Sequence, residues 1–338
     1  MAISGNARLT DFLIGQKTRS DKEALKEASE ERFFSLVKSC AMSLDEILVT
    51  DFPERRKIVS PWIQEQSIIL MSGFRGVGKS IFTLGLCDAI SRGGKFGPWE
   101  IKTSLPILYV DGEMVISDIQ KRARSMVKDS TIRKNPVIYF SDFAANLKGL
   151  PKTNLTSLKC QAAIKRMCLG WKVKLLVLDN ISSLCPNLDE NVKSAWDPVN
   201  QWLLELRFND ISTIMLHHVN KEGGQRGTSG REDNVDISLT LERPKDYVIE
   251  DGARFITKFT KARIPVDELP LISDCEFQLK SSDSKVEWVW TSSRRKRQDE
   301  VIEMLEVGMT QGEIAAQLGA SKPYVCKVAR TWKKGGTG

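Results

Sequence analysis

A chain of 338 residues that is 41% hydrophobic and 28% charged has room for one large domain with a smaller one attached, and excludes a fibrous or low-complexity chain. No apolar run reaches the ~18–20 residues of a membrane helix, and the start, MAISGNARLTDF, has neither the charged head nor the apolar stretch of a signal peptide, so a cytoplasmic protein is expected. The net charge of +7 is modest, but the last 45 residues hold nine Lys/Arg against five Asp/Glu; such a tail is either a solvated surface or a contact for a polyanion.

Residues 1–45 are polar and helix-prone around Asp21–Lys38, which predicts an N-terminal helical arm. From Ser67 short apolar runs alternate with helical stretches. The runs lie at 67–73, 106–112, 137–142, 174–180 and 212–218, and the helical stretches at about 79–91, 115–128, 155–170 and 191–208. Near-continuous apolar strands separated by helices predict a mostly parallel sheet covered on both faces. Further strands near 236–242, 253–261, 275–280 and 285–291 read as antiparallel additions to one side. Residues 292–297 are polar and basic and read as a linker. The seven cysteines include no CxxC pair and the two histidines are adjacent, which predicts buried, reduced thiols and no zinc finger.

Residues 73–80 read GFRGVGKS, the pattern GxxxxGK[ST] between a strand and a helix. Gly73, Arg75, Gly76, Val77, Gly78, Lys79, Ser80 and Ile81 form the expected cradle for nucleotide phosphates. There Lys79 meets the β- and γ-phosphates and Ser80 binds Mg²⁺. Asp179 ends the strand KLLVLD, where an acid holds Mg²⁺ or caps the next turn. Glu113, in VDGEM, is either the group that orients the attacking water or a helix cap, with Asp111 a weaker candidate. His217 and His218 end the strand STIMLHH on opposite faces, so one of them, His218, is the candidate γ-phosphate sensor.

This set resembles the plasmid RepA-type replicative helicases and, more broadly, the RecA/DnaB-like hexameric ATPases, over about residues 45–280. The resemblance implies a RecA-like fold, ATP hydrolysis with Mg²⁺ and a homo-oligomer, a hexamer. It also implies that the loop KEGGQRGTSGREDNVD touches single-stranded DNA through Lys221, Arg226 and Arg231, although by itself this is an ordinary solvated loop. Lys261 and Arg263 look like the Lys-x-Arg pair that DnaB-like ATPases insert into the neighbouring subunit's site; otherwise they belong to a surface strand with alternating charges.

Residues 298–338 resemble a helix-turn-helix, with Thr310 and Glu313 as a capping box and 321–332 as its second paired helix. Lys322, Tyr324, Lys327 and Arg330 are its candidates to face duplex DNA; the alternative is a three-helix protein-contact module. The sequence thus predicts an α/β, RecA-like P-loop NTPase: an arm over 1–45, an ATPase domain over 46–291, a basic linker over 292–297 and a DNA-binding module over 298–338. The expected function is a DNA-dependent ATPase in replication of a plasmid, phage or other mobile element, a RepA-like helicase. The alternatives are a DNA-bound ATPase switch that does not unwind (a loader, recombination accessory or regulator) and, ranked last, a small-molecule kinase.

Overall fold

The computed structural model describes residues 30–126, 133–186, 188, 192–219, 233–282 and 285–335. The chain forms two compact units, Met1–Arg55 and Arg56–Gly338. In the first, the described residues form helices α1 (Glu30–Ser39) and α2 (Leu44–Val49), and most of the expected arm over 1–45 lies outside the described residues. Ser43 starts α2 with a capping box, its hydroxyl accepting from Glu46 N while the Glu46 carboxylate accepts from Ser43 N.

The second unit follows the predicted alternation closely. In chain order come β1 (Lys57–Ser60), β2 (Ile63–Gln64), β3 (Ile68–Gly73), α3 (Lys79–Arg92), β4 (Gly94–Phe96), β5 (Trp99–Ile101), β6 (Ile107–Asp111) and α4 (Ile116–Met126). Then follow β7 (Val137–Ser141), α5 (Asp142–Asn146), α6 (Leu158–Gly170), β8 (Leu175–Asp179), α7 (Ile181–Leu184), α8 (Asp197–Phe208), β9 (Ser212–His218), β10 (Ile237–Glu242) and β11 (Arg254–Ala262). Last are β12 (Cys275–Ser282), β13 (Lys285–Ser292), α9 (Ser293–Glu306), α10 (Gln311–Gln317) and α11 (Lys322–Gly335). The main sheet has nine strands in the order β13-β12-β11-β10-β3-β9-β8-β6-β7. Strands from β10 to β7 run parallel and β11, β12 and β13 are antiparallel. The fold is therefore an α/β, RecA-like P-loop NTPase.

Three details differ from the sequence reading. Strand β10 is not an antiparallel addition: it pairs parallel with β3, Ile237 beside Ile69 through Leu241 beside Gly73. A parallel pairing needs a long return, and residues 219–236 are enough chain to make it. A small sheet, β2-β1-β5-β4, had no prediction, because strands of two to four residues carry no readable period. The basic run read as a linker lies within α9, which starts at Ser293 directly after β13.

The central strands β3, β6 and β8 are buried along their whole length. Alternation then divides their side chains between two cores. Ile69 and Met71 join Phe82, Leu239 and Phe255 on one face, while Ile68 and Leu70 join Ile164, Trp202 and Leu206 on the other. The first core centres on Phe82, in the opening turn of α3. Its ring meets Phe96, Phe255, Phe277 and Trp288 edge-on at centroid distances of 5.1, 5.4, 5.2 and 5.8 Å. One side chain thus ties α3 to β4, β11, β12 and β13. Phe82→Ala is expected to cost about 3–5 kcal/mol, read as a lower urea midpoint with an unchanged m-value; a loss below ~1 kcal/mol would show that the cluster is not what anchors α3.

Candidate nucleotide site

Parallel strands bring their C-terminal ends to one edge of the sheet, and the P-loop, Glu113, Asp179 and His218 lie there. Gly73 ends β3, Asp111 ends β6, Asp179 ends β8 and His218 ends β9. The register sets Gly73 beside His218 and Asp111 beside Asp179. Gly78 forms the N-cap of α3 at φ 115°, a left-handed value that favours glycine. A Cβ there would also stand 3.1 Å from the Phe255 ring.

Lys79 is buried at the centre of the loop. Its ammonium donates to Gly73 O at 2.7 Å and Phe74 O at 2.9 Å, and lies 2.9 Å from His218 Nδ1. Three N–H groups thus meet three acceptors. Burial pushes Lys79 down to about 8, against the raising effect of Asp179 and Glu113. Burial, with the Lys79 charge, also holds His218 below its ordinary value.

On its other side, His218 Nε2 lies 3.0 Å from Asn180 Nδ2 and 3.6 Å from Glu113 Oε2. Asn180 Nδ2 also donates to Glu113 Oε2, while its Oδ1 accepts from Ser183 N and caps α7. Glu113 reaches this point because Gly112 N donates to Asp179 O at 2.8 Å. A Cβ on Gly112 would stand 2.7 Å from the Leu184 side chain of α7. Asp111 stands under Glu113 and does not face the opening. Its Oδ1 accepts from the backbone N–H of Glu113 and Met114, and its Oδ2 from Tyr139 OH.

Asp179 is buried. Tyr109 OH donates to its Oδ2 at 2.6 Å, and the Ser80 hydroxyl also hydrogen-bonds to it. Burial nonetheless pushes Asp179 up to about 6. Ser80 and Asp179 therefore already touch where the sequence expects Mg²⁺. A sparse donor set of one hydroxyl and one carboxylate fits an ion that keeps several waters and takes further oxygens from phosphates. Asn180, Tyr109 and Tyr139 escaped the sequence reading. Asn180 follows Asp179 directly and was open to notice; the two tyrosines sit mid-strand and look like core.

His217 points away from the loop and is buried with Trp196, Asn200 and Met215 around a small cavity. Lys261 and Arg263 lie elsewhere. Lys261 pairs with Ser238, three positions along β10 from Leu241, the neighbour of Gly73. At ~3.3 Å per residue that is about 10 Å from the P-loop edge. Arg263 is exposed just beyond β11, its Nη1 3.8 Å from Asp236 Oδ1. Lys221, Arg226 and Arg231 lie outside the described residues.

Val301, Ile314, Val325 and Val328 form the core of the three C-terminal helices, and Thr310 and Glu313 make a capping box. Lys322, Lys327 and Arg330 are exposed. Tyr324 is a correction: it packs on that core with its hydroxyl buried, because it sits one helical turn before Val328 on the inward face.

A family model described as an AAA domain, AAA_25, matches residues 36–224. The chain belongs to this AAA-domain family. Among its relatives is a DNA repair protein RadA of Campylobacter jejuni, 26% identical over 197 residues, 57% of this chain and 37% of that protein. The RadA of Streptococcus pneumoniae is 23% identical over 202 residues, 59% of this chain and 41% of its own length. The AAA-domain chain thus spans about two-fifths of the length of these relatives. A KaiC-like protein, PH0186, of Pyrococcus horikoshii is 15% identical with a TM-score of 0.45, covering 70% of this chain and 99% of its own. The match to the AAA-domain family stops before β10, so the Lys261–Arg263 segment and the three C-terminal helices lie beyond it. No described helix is long and apolar enough to cross a membrane.

The buried Asp179 generates a pH prediction. Its folded value, about 6, exceeds the ordinary value near 3.8, so its burial costs nothing below about pH 4 and the full amount above about pH 6. Asp179→Asn removes that cost. Without nucleotide the variant is expected to gain stability over wild type as pH rises from 4.5 to 6.5, levelling at on the order of 2–3 kcal/mol. Urea melts across that range check this, and a difference independent of pH would contradict it.

Proposed function

We propose that this chain is an oligomeric, DNA-dependent ATPase in which one subunit completes the nucleotide site of the next. The placement of Lys261 and Arg263 supports this reading most strongly. They lie toward the far end of β10 and β11 from their own P-loop, out of reach of the phosphates held by the same chain, and Arg263 is exposed. Such a guanidinium acts on a neighbour's γ-phosphate, where it stabilises the charge that develops as the phosphoryl group leaves.

Within one subunit the roles follow from position. Lys79 leaves its His218 contact to meet the β- and γ-phosphates. Asn180 holds the Glu113 carboxylate, which orients the attacking water and accepts its proton. Ser80 and Asp179 would hold Mg²⁺, which supplies charge neutralisation between phosphate oxygens. His218, between Lys79 and Glu113, senses whether the γ-phosphate is present. Single-stranded DNA contacts Lys221, Arg226 and Arg231, and Lys322, Lys327 and Arg330 give the C-terminal helices a cationic face for duplex DNA. The finer reading is a hexameric, RepA-like helicase serving replication of a plasmid, phage or other mobile element in the cytoplasm. The relatives named as DNA repair proteins favour a second reading, a recombination accessory that binds DNA without replicative unwinding.

Hydrolysis is to be measured with and without single-stranded DNA. Lys79→Ala is expected to abolish nucleotide binding. Glu113→Gln is expected to keep binding and lose about 10²–10⁴-fold in rate. Arg263→Ala should lose about 10³-fold or more, and mixing it with Lys79→Ala subunits should restore part of the activity through shared interfaces. An Arg263→Ala protein as active as wild type sinks the shared site, and indifference to DNA sinks the DNA-dependent reading. A tailed fork substrate then separates unwinding from the accessory role.

A further inference from the structure

The phosphate chain of a bound nucleotide has a direction in this site. Glu113, Asp179 and His218 all stand on one side of β3, at the ends of β6, β8 and β9. Under the proposed function the γ-phosphate sits toward that side. The nucleoside then leaves the P-loop on the other side, over the end of β10.

The segment Arg243–Ala253 follows β10 there, and it is built as a platform. Arg243 lies over the Tyr247 ring, 4.0 Å from guanidinium carbon to ring centroid. The same guanidinium donates to Gly76 O, at the apex of the P-loop, at 3.4 Å. The segment is pinned from beneath. Arg254 donates to Asp246 at 2.8 Å, Asp251 at 2.9 Å and Glu276 at 2.6 Å. Tyr247 N donates to Pro244 O at 3.1 Å, and its hydroxyl to Gly252 O at 3.3 Å. Ala253 and Phe255, which continue the chain, pack under Gly78. A cation–aromatic pair of fixed geometry thus touches the P-loop on the side from which the nucleoside emerges, in a segment that no phosphate motif includes.

We propose that Arg243 and Tyr247 form the nucleobase subsite, on which the base adds a third layer to the stack. This rests on the P-loop reading of Gly73–Ser80. No base-specific hydrogen bond is needed, so the discrimination follows stacking area, with purine nucleotides held more tightly than pyrimidine nucleotides.

The test compares a ligand that has a base with one that has none. Equilibrium binding of Mg-ATP, Mg-GTP, Mg-CTP and Mg-tripolyphosphate is measured on the full chain by calorimetry. Tyr247→Ala and the exposed Arg243→Ala are expected to weaken ATP by roughly 5- to 100-fold while tripolyphosphate affinity stays within about twofold of wild type. Tyr247→Phe, which keeps the ring, should bind ATP like wild type. Equal weakening of ATP and tripolyphosphate, or no effect on ATP, overturns the subsite, and CTP binding as tightly as ATP overturns its purine preference. Lys79→Ala reads the other claim: it should weaken both ligands, and if it weakens neither, the P-loop reading fails whatever the Tyr247 variants do. A wild-type chain that binds neither ligand overturns both.

Discussion

A buried ammonium group with every N–H engaged is the constraint on which the rest of this protein depends. Lys79 cannot stay charged out of water unless acceptors surround it. Two are P-loop carbonyls and the third is a histidine ring from the neighbouring strand. That requirement fixes the conformation of the loop and the register of β9 against β3. Through His218 it draws in Asn180 and Glu113. A phosphate that took over the Lys79 contact to His218 would act on a side chain already 3.6 Å from the Glu113 carboxylate.

The sheet makes this convergence cheap in conformational terms. Parallel strands end at one edge, so residues far apart in sequence become neighbours without a long structured loop. The same geometry sets the two ends of β11 far apart. The antiparallel β11 carries its C-terminal residues back toward the opposite end, which takes Arg263 away from its own P-loop. On the near side, the turn between β10 and β11 stays at the P-loop edge, where Arg243 and Tyr247 stand. The aromatic cluster around Phe82 packs β11, β12 and β13 against α3, the helix that opens directly from the phosphate loop.

Local signals carried the strands and helices. Runs such as SIILMSG and KLLVLDN are apolar throughout because both faces of the sheet are covered, and glycine with Lys-Ser marks the turn from β3 into α3. Asp179 and His218 were legible for the same reason, since each ends an apolar run, and Glu113 follows one closely. The short strands β1, β2, β4 and β5 were not, because their length is too small for a period to register.

By itself, the sequence determined the fold class and which residues stand at the nucleotide edge, since strand ends and a glycine-rich loop are properties of neighbouring residues. Only the tertiary structure decided which of them meet. Asn180 bridges Glu113 and His218, Tyr109 holds Asp179, Tyr324 turns inward, β10 runs parallel to β3, and Arg243 reaches Gly76 from 167 residues away. These depend on sheet order and on which face a side chain takes, and contacts across such separations leave no period or spacing in the chain.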